Sequence, residues 1–397
     1  MPSTKAVAFA GLIALAVAMG IGRFAFTPVL PMMQAEQSIT LSGGGWLTSA
    51  NYLGYLIGGI TAAWIRMHPA ALARLGLVTV VLSTAAMGLV SGMNIWIALR
   101  LIAGIASAWV LVSVSAWCLG QLAARNASAL GSLVFSGVGA GIAIAGIACL
   151  ALAYDGASST TAWLALGAIA LAGVLPIWSA FSSGTGETFT GAPAASAKAV
   201  PAAKAPSLPW KLILAYGLFG FGYILPATFI PAQARQLVSD PLTFGLAWPI
   251  FGLAAAASTW IAGRLAEVFG RRKVWAACCL IMTLGVLLPA VWKHPAAIVV
   301  AALCVGGTFM VITMAGLQEV RALAAESGID PRPVLSAMTA AFATGQIAGP
   351  VVANAVSAAL SVGPSAALDY ALWLAAAGLA LSIGLLFPLS TFNQGKD

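Results

Sequence analysis

Twelve apolar stretches, each about as long as a helix that crosses a bilayer, dominate this chain: residues 6–33, 43–65, 71–92, 94–118, 127–153, 161–182, 210–233, 243–266, 273–292, 295–318, 333–361 and 367–390. A bilayer core needs roughly 20 apolar residues of helix. Inside lipid every backbone polar group must be paired within the protein, which leaves helices as the form such stretches take. The predicted fold class is therefore an all-α membrane protein with twelve transmembrane helices. The chain is 61% hydrophobic and only 7% charged, too few charges to solvate a soluble surface. The first stretch is too long for the h-region of a cleaved signal sequence. Five cysteines, all in apolar spans with no CxxC spacing, read as small buried hydrophobes.

Residues 184–209, GTGETFTGAPAASAKAVPAAKAPSLP, are rich in Ala, Pro, Gly and Ser. They read as a flexible linker between an N-terminal six-helix bundle, residues 1–183, and a C-terminal one, residues 210–397. With the N-terminus in the cytoplasm, fourteen of the eighteen Lys and Arg residues fall on the cytoplasmic side and only Arg235 and Lys293 outside. That asymmetry predicts a multi-pass protein with both termini and the linker inside. It also explains the net charge of +8 without nucleic acid. The halves echo each other: GIGRFAFTPVLP from Gly20 and GFGYILPATFIP from Gly220 share Gly20/Gly220, Gly22/Gly222 and Pro31/Pro231. Two like-oriented halves form a parallel repeat.

The two remaining basic residues, Arg23 and Arg100, lie inside spans, and no Asp or Glu occupies the middle of any span. A charge there costs roughly 2.5–3.5 kcal/mol on insertion scales and marks a functional site by default. Both arginines fall at similar depth in the outer half of the membrane. An arginine fork grips a carboxylate with two parallel hydrogen bonds. Tyr223 takes the place of Arg23 in the second half, and Asn51, Tyr52, Tyr55 and Gln346 are further polar candidates for a substrate site between the halves.

The loop after the eighth span reads Gly263-Arg-Leu-Ala-Glu267-Val-Phe-Gly270-Arg271-Arg272-Lys273 and resembles the loop motif of the major facilitator superfamily, G-x-L-A-[DE]-x-x-G-R-[RK]-x. The resemblance implies that fold and a cytoplasmic gate: Glu267 accepts bonds from a neighbouring helix end and pairs with Arg271, while Glu319, at the end of the tenth span, has Arg271 or Arg272 as its partner. The matching first-half loop, GGITAAWIRMHPAALAR, lacks both the acid and the basic run, so the gate is expected to be lopsided. Arg100-Leu-Ile-Ala-Gly104 resembles the family's R-x-x-x-G element, tied to proton coupling. Gly137, Gly139, Gly141 and Gly146, with Gly345, Gly349 and Pro350, resemble its glycine-rich helix-packing motifs. Gly22-Arg23-Phe24-Ala-Phe26-Thr-Pro28, GFGYILPATFIP and Thr344-Gly345-Gln346 resemble the YbfB/YjiJ-type subfamily.

The expected function is secondary active transport of a small organic anion, such as a carboxylate, with protons as a candidate coupling ion, across a bacterial inner membrane by alternating access. The alternatives are efflux of amphiphilic drugs or metabolites through a pocket of Trp and Met, and a non-transporting membrane sensor. No G-x-x-x-x-G-K-[ST] loop, metal-ligand spacing or nucleophile constellation occurs. Neither enzyme activity, cofactor, metal nor nucleic-acid partner is expected, and the chain is expected to work as a monomer.

Overall fold

The computed structural model describes residues 3–39, 41–181, 209–237, 241–292, 294–361 and 364–387. Nearly all of the predicted linker, 184–209, lies outside the described residues, as do Lys198, Lys204, Lys293 and Lys396. What is described is helical: α1 Thr4–Leu15, α2 Phe26–Ala35, α3 Leu41–Thr61, α4 Pro69–Leu89, α5 Met93–Ala124, α6 Gly131–Tyr154, α7 Ser159–Ile177, α8 Trp210–Leu237, α9 Pro241–Phe269, α10 Arg271–Val291, α11 Pro295–Glu326, α12 Arg332–Leu360 and α13 Pro364–Leu386. Helices α1 and α2 belong to one apolar span, Thr4–Ala35, so the thirteen helices make twelve spans. Among the described residues, eight of the spans are long and apolar enough to cross a membrane on length and composition alone.

The starts follow local chemistry. Ser3 and Ser158 accept the Ala6 and Thr161 N–H groups as N-caps. His68 and His294 do the same through Nδ1 for Ala70 and Ala296, each just before a proline at the first helical position. Gly270 opens α10 at φ +86°, a left-handed conformation that explains a glycine there. The cysteines are free; Cys118, Cys149 and Cys279 are buried, whereas Cys278 and Cys304 are half-buried, short of the expected full burial.

Glycines set the helix contacts. A Cβ added at Gly137 or Gly141 of α6 would run into the Leu12 and Ala16 carbonyls, and one at Gly345 or Gly349 of α12 would meet α8 at Gly217 and Ile224. The same four-residue spacing thus serves the same kind of contact in both halves. Across the halves, Gly139 of α6 meets Gly252 and Ala256 of α9, and Gly59 of α3 meets Thr339 and Ala340 of α12.

The first span departs from the single continuous helix expected over 6–33. After α1 the Gly22 N–H reaches back five residues to the Val17 carbonyl, and Phe24 reaches back five to Met19. This π-type turn widens the helix. The chain then restarts at Phe26, with Thr27 bonded to the Phe24 carbonyl. The residues there are apolar or glycine apart from Arg23, so hydropathy gives no sign of the break.

Candidate substrate site

The break presents Arg23. Its carbonyl and that of Gly22 have no helical donor, and Arg100 of α5 supplies both: Nη1 donates to Gly22 and Nη2 to Arg23, each at 3.0 Å. The Phe26 ring lies 5.1 Å from the Arg100 guanidinium carbon. The Ser107 hydroxyl, 2.7 Å from the Ala18 carbonyl, holds the same turn from two helical turns deeper on α5. Asn51 of α3 donates to the Arg100 carbonyl at 3.0 Å. Gly104 lets the Asn51 backbone approach, because a Cβ there would strike the Asn51 carbonyl. Arg100 and Asn51 thus stand behind the break and hold it.

Arg23 faces the other way, into the region between the halves, and is 3% exposed. Its Nη2 donates to Oε1 of Gln346 on α12, which is itself fully buried. Its guanidinium carbon lies 3.8 Å from the centroid of the Tyr55 ring, 5.3 Å from Phe24, 5.7 Å from Phe342 and 5.8 Å from Tyr52. Such ring faces stabilise a desolvated cation without neutralising it. Nε and Nη1 of Arg23 and Nε2 of Gln346 are buried with no partner at hydrogen-bond geometry, and the neutral Tyr55 hydroxyl lies close to the Arg23 guanidinium. Among the described residues Arg23 forms no ion pair.

Of the predicted site residues, Arg23, Tyr52, Tyr55 and Gln346 come together. Tyr223 does not touch the guanidinium; it stacks on Phe309 at 5.2 Å and lies 6.2 Å from Phe342, one ring removed from Arg23. Arg100 and Asn51 are beside the site, with their polar groups turned to backbone carbonyls. Sequence reasoning named Tyr52, Tyr55 and Tyr223 but missed the phenylalanines among them. Phe342 stands one helical turn before Gln346, and Tyr216, Phe219 and Tyr223 follow helical spacing on α8. Phe24 and Phe309 meet edge-to-face at 6.1 Å. Phe309 continues the row to Phe251 at 5.1 Å, and Phe251 to Trp248 at 5.3 Å.

At the end of the molecule that carries the basic loops, Glu319 takes both arginines of the loop motif, Arg272 at 2.7 Å and Arg271 at 3.5 Å. The expected pairing of Glu267 with Arg271 is corrected: Glu267 is exposed, and no partner to it is formed among the described residues. The acid on α11 is half-enclosed and lies where both guanidinium groups converge, whereas Glu267 projects from the α9 end into solvent. Gly263 packs on Ser132 of α6, so this loop also touches the other half. Arg332 of α12 pairs with Asp330 and donates to the Met67 carbonyl at 3.2 Å, a second contact between the halves at this end. No cluster of three or more His, Cys, Asp or Glu suited to a metal ion occurs among the described residues.

Twelve helical spans in two related sets, with the Arg23 side chain buried between them, define a carrier of the major facilitator type. The chain belongs to the family described as "Uncharacterised MFS-type transporter YbfB", whose model it matches over residues 15–387. Among solved structures its fold is similar to that of the human organic anion transporter MFSD10 (TETRAN), with a TM-score of 0.69 at 15% identity over 98% of this chain and 100% of that one. No curated protein matches the chain. The major facilitator fold read from the loop motif and the repeat is thus the fold of the protein.

Proposed function

We propose that this transporter moves a small organic anion, a carboxylate, across a bacterial inner membrane by alternating access. Residues 1–183 and 210–397 are the two bodies that rock, 184–209 joins them, and both termini face the cytoplasm. The observation that carries the reading is Arg23: a buried guanidinium with two unpartnered nitrogens and a neutral amide oxygen on the third. A carboxylate supplies what this group lacks, a countercharge and a second acceptor. Gln346 comes from the opposite half, so an anion that takes its place on Arg23 changes a bond between the halves. A ligand shifts a conformational equilibrium only through such differential contacts. MFSD10 is an organic anion transporter by its title, but at that identity the likeness speaks to fold, and the reading rests on Arg23. Among the described residues no carboxylate faces Arg23, which leaves a proton, if one is coupled, without an acidic carrier in the site and makes the cargo's own carboxylate the group available to bear it.

Efflux of amphiphilic cations has the ring row in its favour and the uncompensated positive charge against it. A thermal-shift screen of the purified protein against carboxylates, sugars and cationic drugs separates the two. Ligand stabilisation grows as RT ln(1 + [L]/Kd), about 2.7 kcal/mol at a hundredfold excess over Kd. Carboxylates are expected to raise the unfolding temperature; stabilisation by cations alone contradicts the reading.

A further inference from the structure

We propose that the cargo is a carboxylate monoanion carrying an aromatic or similarly flat apolar tail. This deepens the anion reading and rests on it. Three observations narrow the class. First, the site offers one open fork. A guanidinium grips carboxylate along either of two edges, Nε/Nη2 or Nη1/Nη2, and the Gln346 oxygen takes one of the two Nη2 N–H groups of Arg23. The amide oxygen therefore stands where one carboxylate oxygen would sit, with Nε or Nη1 waiting for the other. Arg100 already donates through both terminal nitrogens to the Gly22 and Arg23 carbonyls, which leaves its Nε alone without a partner. A second carboxylate on the cargo would find no second fork, and an unpaired buried carboxylate is strongly disfavoured.

Second, what surrounds the fork is ring. From Arg23 the row runs through Phe342, Tyr223 and Phe309 to Phe251 and Trp248, with consecutive centroids 5.1–6.2 Å apart. Phe24 joins it from the opposite half. Offset and edge-to-face contacts with an aromatic guest are favourable at such spacings. A polyhydroxylated acid would need several donors and acceptors. Around the fork and this row the polar side-chain groups other than those of the arginines are Gln346 Nε2, Asn51 Oδ1 and Trp248 Nε1, all buried and unpartnered, and the hydroxyls of Tyr52, Tyr55 and Tyr223, single donors spread among rings. Third, no described acid pairs with Arg23, so an amino acid's ammonium lacks the countercharge it would need beside the carboxylate. Trp248 Nε1, at the far end of the row, is a buried donor suited to one acceptor on the tail.

The test is equilibrium binding to the full-length protein in nanodiscs, with 4-phenylbutyrate, butyrate, gluconate, succinate and 4-phenylbutylamine as probes. We expect 4-phenylbutyrate to bind at least about tenfold more tightly than butyrate, about 1.4 kcal/mol, and more tightly than gluconate or succinate. We expect 4-phenylbutylamine not to bind. Phe309→Leu, which keeps an apolar side chain but removes the ring, should narrow the ratio between 4-phenylbutyrate and butyrate severalfold. Butyrate, gluconate or succinate binding as tightly as 4-phenylbutyrate, or an unchanged ratio in Phe309→Leu, overturns the tail assignment and leaves the anion reading standing. Binding of the amine, or of no carboxylate at all, overturns both.

Discussion

At the scale of single residues the account turns on two arginines that look alike in the sequence. Each is a lone cation in an apolar span, and from that signal alone both qualify as anion ligands. The structure separates them through the backbone between them: Arg100 completes two carbonyls, and Arg23 is the side chain that those carbonyls carry. Arg100 is a positioning residue. Arg100→Lys keeps the charge but loses the planar fork whose two terminal nitrogens each serve one carbonyl, and a buried carbonyl left without a donor costs about 1–3 kcal/mol. We expect a lower unfolding temperature together with weakened anion binding, measured by thermal unfolding and titration on the same sample. Gln346 allows a cleaner test, because Gln346→Glu is nearly isosteric and puts a permanent carboxylate on Arg23. It should retain expression and stability while reducing carboxylate affinity by at least about a hundredfold, or 2.7 kcal/mol. Unaltered affinity in this variant means that Arg23 does not hold the cargo.

At the scale of elements, hydropathy outlines most span ends to within a few residues, since length and apolarity are what define a membrane helix, but α5 and α11 run on past the predicted ends, to Ala124 and Glu326. It does not reveal the π-type turn of the first span. That turn arises from how Gly20 packs against Gly141 and Gly22 against Val80 and Ser107, contacts that no local pattern contains. The loop motif shows the same division. Its spacing is legible, and so is the basic pair, but which acid answers that pair depends on where the end of α11 lies. The Arg271 and Arg272 side chains are 37% and 39% exposed against 14% for Glu319. Solvent screens such pairs, and exposed pairs contribute roughly 0.2–1 kcal/mol. Glu319→Gln is therefore expected to lower thermal stability by no more than about 1 kcal/mol, and Glu267→Gln to leave it unchanged. A larger loss in Glu267→Gln than in Glu319→Gln would reverse the assignment.

At the scale of the whole molecule, the repeat that the sequence shows as paired glycines becomes two sets of helices meeting along α6 with α9 and along α3 with α12, with the basic end held by Arg332 on Met67 and Gly263 on Ser132. The rings between the sets were illegible as a group. They come from the break in the first span and from α3, α8, α9, α11 and α12, and each phenylalanine alone is an ordinary apolar residue. What the sequence did mark were the two arginines whose burial needs a reason. The most direct measurement is accordingly a binding titration of 4-phenylbutyrate, with butyrate beside it, to the wild type, Arg23→Lys and Arg23→Ala, each first shown to be folded by its thermal transition. Losing a buried charge-assisted contact commonly costs about 2–5 kcal/mol, or roughly 30- to several-thousand-fold in affinity. The account predicts that Arg23→Ala folds and loses carboxylate binding by that factor, with Arg23→Lys between it and the wild type because the charge remains and the fork is gone. A folded Arg23→Ala that binds these carboxylates with wild-type affinity would contradict it.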